Sequence, residues 1–214
     1  MTHPAPMRHI LIATSNAGKL RDFAGAAKEH GVEVAGLPSF SSLPLAVEDG
    51  DTFEANARKK AEFYSRYAPG QIVLADDSGL EVDALGGAPG VHSARYAAEE
   101  PHKAENNTDD DANNQRVLRE LRDVPPEKRT GRFVCVIAVA QDGHTLASFR
   151  GVAEGLILDR LQGAGGFGYD PMFYFPAIQK TFAELTPQEK ARYSHRGAAF
   201  REFLSWYDDK VLNL

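Results

Sequence analysis

The apolar run Ile72-Val73-Leu74-Ala75 leads straight into Asp76-Asp77-Ser78-Gly79, adjacent carboxylates followed by two turn-forming residues. Side chains alternate sides along a strand, so Asp76 and Asp77 are expected to diverge where the strand stops. One would anchor the turn while the other reaches into the space beyond. In open α/β sheets ligands bind in that space. Paired acids there suit a hard ion such as Mg²⁺ together with a bound phosphate. The competing reading is a solvated turn, since Asp, Ser and Gly are common turn formers.

Four further clusters carry residue types suited to such chemistry. Thr14-Ser15-Asn16-Ala17-Gly18-Lys19 joins an apolar strand to a helix. Free backbone N–H groups at a helix start bind anions, and Lys19 adds a point charge. The glycines and the Lys-Ser/Thr ending of a Walker loop are missing, and an ordinary turn capped by Asn16 is the alternative. Glu48-Asp49-Gly50-Asp51, with Glu54, precedes a second helix. A helix dipole favours acids at that position in any case, so the cluster gains meaning only by meeting Asp76 and Asp77 in space. Carboxylates arriving from two segments would hold Mg²⁺ and leave positions for water and phosphate oxygens.

Gly165-Gly166-Phe167-Gly168-Tyr169-Asp170 has the glycine density of a dinucleotide fingerprint, but Pro171 and an aromatic strand follow where a helix is required. Glycines around aromatics suit a loop on which a planar ring approaches the backbone and stacks; a packed aromatic turn is the rival account. Lys190 and Ser194-His195-Arg196-Gly197 offer donors to a base edge or a phosphate, although a lone His195 is also an ordinary core histidine. A Ser-His-Asp hydrolase drawn from Ser78 and His195 lacks the Gly-x-Ser-x-Gly elbow.

These side chains need a frame, and periodicity supplies one. Residues 10–13 read as a strand, followed by a helix with Leu20, Phe23, Ala24 and Ala27 inward and Gly31 at its end. Residues 32–37 read as a second strand and the Pro/Ser-rich residues 38–44 as a loop. Asp51 and Glu54 resemble a capping box opening a helix over 53–67, with Ala57, Ala61 and Tyr64 inward. Pro69-Gly70 stops it, and residues 85–90 form a glycine-dense turn. The polar tract 99–114 reads as an exposed loop feeding a helix to about Arg122, which Pro125-Pro126 ends. Strands over 131–140 and 145–149 flank Asp142-Gly143, a hairpin signal. An aromatic strand is expected over 172–175. Thr186-Pro187-Gln188-Glu189 marks a helix start, and residues 197–207 form a last helix with Phe200, Phe203, Leu204 and Tyr207 at helical spacing. The class is α/β with a mixed sheet.

The 214 residues suffice for a single domain with a real core, and 43% hydrophobic with 25% charged is a globular composition. A net charge of −6 argues against general affinity for nucleic acid or anionic membrane. A polyphosphate ligand would then need local Lys and Arg, a bound cation, or both. The single cysteine, Cys135, excludes an intrachain disulfide and a Cys-rich zinc site, and reads as a buried filler. No apolar stretch reaches transmembrane length and residues 1–9 lack a signal-peptide core. The expectation is a soluble cytoplasmic protein with a flexible tail over residues 1–8.

Taken in order, the clusters resemble the inosine triphosphate pyrophosphatase family. The matching pieces are Thr14-Ser15-Asn16-Ala17-Gly18-Lys19, Glu48-Asp49-Gly50, Thr52-Phe53-Glu54-Ala55-Asn56-Ala57 and Ala75-Asp76-Asp77-Ser78-Gly79-Leu80. They continue with Leu85-Gly86-Gly87-Ala88-Pro89-Gly90, Ser93-Ala94-Arg95-Tyr96, Gly166-Phe167-Gly168-Tyr169-Asp170-Pro171 and Ser194-His195-Arg196-Gly197. Ser15 stands where many relatives carry glycine.

The resemblance implies a two-lobed α/β fold with a long mixed sheet, a cleft between the lobes and a homodimer. It implies cleavage of non-standard purine nucleoside triphosphates (ITP, dITP, XTP) between the α- and β-phosphates, releasing pyrophosphate, with Mg²⁺ as cofactor. By motif position Asp77 is the general base and a metal ligand, Glu48 the other ligand, and Ser78 a substrate contact. Thr14, Ser15, Asn16, Ala17, Gly18 and Lys19 bind the triphosphate, assisted by Lys190. Phe167, Gly168, Tyr169, Asp170, His195 and Arg196 enclose the base, and Asp76 and Glu54 support the metal or its water. Two rivals remain: a septum-inhibition-type nucleotide pyrophosphatase with another base preference, and a nucleotide-binding sensor without turnover.

Overall fold

A parallel unit and an antiparallel unit share one seven-stranded sheet, in the order β2-β1-β3-β4-β5-β6-β7. The computed structural model describes residues 8–28, 30–98 and 109–211. The tail expected to be flexible, apart from Arg8, and residues 99–108 of the expected exposed loop lie outside them. β1 (Arg8–Ile12) runs parallel to β2 (Val32–Gly36) and to β3 (Val73–Val82). α1 (Ala17–Lys28) makes the β1–β2 crossover, and α2 (Phe53–Ser65) precedes β3. α3 (Asp110–Glu120) leads to the antiparallel β4 (Thr130–Gln141), β5 (His144–Ile157), β6 (Phe173–Phe175) and β7 (Lys180–Thr181). α4 (Pro187–Tyr193) and α5 (His195–Val211) close the described chain.

The sheet is sandwiched, and the sidedness of β3 follows from its pleat. Val73 and Ala75 pack with Phe53, Ala57, Ala61 and Tyr64 of α2. Leu74, on the other face, packs with Phe23 of α1 and Phe200 and Phe203 of α5. A third cluster joins Leu80 and Val82 to Val117, Phe133, Phe173 and Phe182.

Several boundaries differ from expectation for physical reasons. The strand expected to stop at the acid pair continues through it, because Asp76, Asp77, Ser78 and Gly79 pair antiparallel with Ile137, Val136, Cys135 and Val134 of β4. What stops is β1: its pairing with β3 covers only Leu11↔Val73 and Ile12↔Leu74. Beyond Leu74 that edge of β3 is released from β1, so polar residues there sit in a strand and still face a cleft. β5 extends far past Phe149, since β4 pairs it from Gln141↔His144 to Thr130↔Leu156. The helix expected to open on an Asp51–Glu54 box is capped by Thr52, whose hydroxyl accepts from the Ala55 amide at 3.1 Å. In α1 the buried face is Phe23, Ala26 and Ala27, and Ala24 is exposed.

Other expectations stand. Asp142 and Gly143 take φ values of 51° and 85°, the paired left-handed residues of a tight hairpin turn. Thr186 and Glu189 close a full capping box at α4, with Pro187 in the first turn. Cys135 is buried in β4.

Candidate active site

Because β3 is pleated and continuous, its adjacent acids enter different surroundings. Asp77 continues the α2 face. Its Oδ2 accepts from Asn56 Nδ2 at 3.1 Å, and Lys60 Nζ lies 3.4 Å from Oδ1. The same Lys60 ammonium is 2.8 Å from Glu48 Oε2. Asn56 and Lys60 sit one helical turn apart on α2, and Asn56 also clasps the loop that carries Glu48. It accepts from the Gly50 amide at 2.8 Å and donates to the Gly50 carbonyl at 3.2 Å. A Cβ at Gly50 would lie 2.8 Å from both Ala55 Cβ and Asn56 Oδ1, so the clasp needs glycine. This helix-to-loop staple brings Glu48 to Asp77 across the sequence gap.

Asp76 continues the α1/α5 face and is fully buried. Lys19 Nζ is 3.0 Å and Arg196 3.4 Å from its Oδ2, while Oδ1 has no partner among the described residues. Burial alone would raise both aspartates. For Asp77 burial prevails over Lys60 and Lys19, with Glu48 adding to it, and its carboxyl is raised. For Asp76 the charges of Lys19, Arg196 and Lys60 overcome burial and hold it well below the usual carboxylate range.

The turn after β1 is organised by its own side chains. Thr14 Oγ1 accepts from the Asn16 amide at 3.1 Å, and Asn16 Oδ1 accepts from the Lys19 amide at 3.0 Å, capping α1. First-turn amides of a helix have no intrahelical acceptor and favour an anion. Ser15 and Ala17 are exposed, and Gly18 is buried against Phe167. A Cβ at Gly18 would come within 2.5 Å of the Phe167 ring, so this glycine lets the aromatic loop close on α1.

The opposite end is a web of buried charge. Lys190 Nζ donates to Asp170 Oδ2 at 2.6 Å, and Asp170 also accepts from the Phe167 amide at 2.9 Å. Asp22, on α1, lies 3.5 Å from Lys190 and 2.8 Å from Arg196. Arg196 donates to Ser78 Oγ at 2.8 Å. The Lys190 ammonium stands 4.6 Å above the Phe167 ring, a cation–π distance. Gly168 is held by Asp110 and Asn114 at 2.6 and 3.0 Å, and Tyr169 donates its hydroxyl to the Ser93 carbonyl at 2.7 Å. The His195 ring is stacked on Phe133, centroids 4.7 Å apart, and its Nδ1 has no partner among the described residues. Burial, reinforced by the charges of Arg196 and Lys190, holds His195 well below its usual value and therefore neutral.

These groups line one cleft of about 260 Å³, with Thr14, Ser15, Asn16 and Lys19 at one wall, Glu48, Lys60 and Asp77 at another, and Phe167, Lys190, His195 and Arg196 opposite. Glu54 is elsewhere. It accepts from Ser148 Oγ at 2.8 Å, pairs with Arg58 at 3.0 Å and lines a separate groove beside Gly86 and Gly87. Its proximity to Asp51 in sequence does not bring it to the acids, because the helix turns it outward. Asn56, Lys60 and Asp22 are the site residues not singled out by sequence. The available signal was Asn56 and Lys60 at helical spacing beside the apolar stripe of α2, and Asp22 one turn after Lys19 on α1.

Comparison with known proteins identifies the family of this chain. The sequence profile of the Ham1 family matches residues 10–206. A dITP/XTP pyrophosphatase from Acidobacterium capsulatum is 50% identical over 197 residues, 92% of this chain and 96% of the relative. One from Geobacillus kaustophilus is 48% identical over 205 residues, 96% and 97% of the two chains. The solved Ham1 protein of Staphylococcus aureus superposes with a TM-score of 0.76 at 38% identity, over 95% of this chain and all (100%) of that one. A HAM1 protein from Coxiella burnetii gives 0.78 at 38% identity with the same coverage. With its profile, its relatives and its mixed sheet in accord, the chain belongs to the Ham1 family.

Proposed function

We propose that this chain hydrolyses ITP, dITP and XTP to the nucleoside monophosphate and pyrophosphate, keeping these bases out of nucleic acid, with Asp77 as general base. The observation that carries this reading is the convergence of Glu48 and Asp77 on one ammonium, 2.8 and 3.4 Å away, beside an anion-favouring helix start. The relatives named as dITP/XTP pyrophosphatases support the substrate class.

The donor set fits a hard divalent ion. Two carboxylates from separate segments already share one cation, and Mg²⁺ is commonly held by one or two carboxylates with waters and substrate phosphates. No cluster of three or more His, Cys, Asp or Glu suited to a metal occurs among the described residues, so phosphate oxygens would complete the shell. Glu48 and Asp77 would hold the ion, with Asp76 in support through Lys19. When bound, it would neutralise phosphate charge and polarise the phosphorus under attack.

The chain's own groups account for the remaining steps. The first-turn amides of α1 and the Lys19 ammonium bind the triphosphate. Asp77, raised by burial, takes a proton from the attacking water as the new P–O bond forms at the α-phosphorus. The α–β bridging bond breaks and pyrophosphate leaves, its charge met by Lys19 and Lys60. At the other end the base lies against Phe167 within Gly168, Tyr169 and Asp170, with Ser78 beside it. Lys190, expected to assist at the triphosphate, is read beside the base because its ammonium stands 4.6 Å above the Phe167 ring. The neutral His195 and the Arg196 guanidinium present donors to a 6-oxo group. Adenine offers an amino donor there and would leave them unpaired, which discriminates strongly.

The test is pyrophosphate release with Mg²⁺ from ITP, dITP, XTP, ATP and GTP. Faster release from the first three is expected: the 6-oxo donors discriminate against ATP, whereas guanine shares the 6-oxo group and has to be rejected by a separate device at position 2. Equal rates on all five remove the selectivity, and no pyrophosphate from any removes the reaction. The same reading has residues 1–214 acting as one domain, in the cytoplasm, as a homodimer. Sedimentation at twice the chain mass is expected, and a monomer at assay concentration would contradict it. Among the described residues no helix is long and apolar enough to cross a membrane.

A further inference from the structure

Charge pairing within the cleft singles out one side chain that the proposed mechanism does not use. Lys19 is paired with Asp76, Lys60 with Glu48 and Asp77, Lys190 with Asp170 and Asp22, and Arg196 with Asp22 and Asp76. Those four cations face five carboxylates, so the interior of the site is already neutralised by its own groups. Arg95 also lines the cleft, is partly buried, and has no hydrogen bond or ion pair to any described residue.

Its backbone, by contrast, is fixed from several directions. Arg95 ends a six-residue 3₁₀ segment, Gly90–Arg95. Ser93 Oγ accepts from the Leu80 amide of β3 at 2.9 Å and donates to the Gly90 carbonyl at 2.7 Å. The Ser93 carbonyl accepts from Tyr169 at 2.7 Å. The Arg95 carbonyl accepts from the Ala98 amide at 3.0 Å, and Asn113 of α3 accepts from the Ala97 amide at 2.7 Å. Gly79 leaves room for this packing, since a Cβ there would lie 2.6 Å from the Gly90 carbonyl oxygen. A guanidinium carried into the cleft on a fixed backbone, with no ion pair to any described residue, is available to an anion.

We infer that Arg95 is a further substrate-binding residue, engaging the triphosphate of the nucleotide. This deepens the proposed function and rests on it. A triphosphate brings several negative charges into a cleft whose other cations are already shared with carboxylates. Arg95 adds attraction without first breaking an ion pair to any described residue. An interaction made equally in the bound and transition states raises affinity without raising turnover.

The test compares the wild type with Arg95→Gln and Arg95→Lys, using ITP hydrolysis and inhibition by inorganic pyrophosphate, both with Mg²⁺. Thermal melting checks that each variant is folded; the side chain has no partner among the described residues, so melting within a degree or so of wild type is expected. Arg95→Gln is expected to raise KM for ITP about tenfold or more, with kcat within about threefold, and to weaken pyrophosphate inhibition by a similar factor. Arg95→Lys should recover part of both. Unchanged KM and unchanged inhibition by pyrophosphate overturn the assignment. A raised KM with unchanged pyrophosphate inhibition also overturns it, because the contact would then be to the nucleoside. If the wild type releases no pyrophosphate from ITP, the proposed function fails on its own. Pyrophosphate binding measured by calorimetry on the same proteins then still reads the Arg95 contact.

Discussion

Asp76 and Asp77 are the same chemical group one peptide bond apart, and the pleat of β3 gives them opposite electrostatic surroundings. Asp77 meets Asn56, Lys60 and Glu48; Asp76 meets Lys19 and Arg196. Burial prevails at the first and cations prevail at the second. Asp77→Asn preserves shape and one acceptor oxygen for Asn56, while removing the proton acceptor and the charge that faces Lys60. Turnover of ITP is expected to fall ~10²–10⁴-fold, the usual contribution of a positioned general base. Nucleotide binding, read by calorimetry, should stay measurable; full activity in this variant would take Asp77 out of the mechanism. At this scale the sequence was informative where a motif holds its residues close together, as in Thr14 to Lys19. It assigned no role to Asn56, Lys60 or Asp22, which act across elements and look locally like ordinary helix residues. Glu54 erred in the opposite direction: near the other acids in sequence, it is turned away by the helix that begins at Phe53.

At the scale of elements, the site is made by two ends and one continuation. β1 ends at Ile12, α1 starts at Ala17, and β3 runs on to Val82. Sequence periodicity located each element but misjudged β3, because Asp-Asp-Ser-Gly has the composition of a turn. The misreading has a cause: those residues are polar because β1 has left them facing a cleft, and they are strand because β4 still pairs with them. β5 was underestimated as well: the strand expected over 145–149 continues to Ile157 through Gly151 and Gly155, a residue type that weakens a strand interior. Gly151 instead marks where α5 lies against the sheet. A Cβ there would overlap the His195 carbonyl oxygen and the Ala199 amide nitrogen. Gly151→Ala is therefore expected to push the start of α5 off β5. The cost should be about 1–3 kcal/mol, the range for forced overpacking, measured by urea unfolding. KM for ITP should rise as well, because His195 and Arg196 begin that helix. A variant of unchanged stability and KM would show that α5 tolerates the shift.

For the whole molecule, the buried charges couple folding to pH. His195 is neutral in the fold, held below its usual value by burial and by Arg196 and Lys190, with Lys19 acting the same way and Asp76 opposing. In the unfolded chain it titrates near ~6.5. Below that pH the unfolded state takes up a proton that the folded state refuses, so stability falls as pH falls, by up to about 1.4 kcal/mol per unit. His195→Phe keeps a ring against Phe133 and removes the titration. Between pH 6.5 and 5.5 the variant is expected to lose about 1 kcal/mol less stability than the wild type, read from urea unfolding at each pH. Equal losses would mean that His195 is protonated in the fold. The placement of the two acids on one pleated strand has a last consequence, which concerns how such a protein can diverge. In the proposed mechanism the acid that takes the proton lies on the α2 side of β3, the start of α1 holds the phosphates, and base recognition draws on α4 and α5 across the sheet. The strand is thus a partition between reaction and selection. In that reading, substitutions on α4 and α5 retune which base is accepted while the attacking water and its acid stay untouched in front.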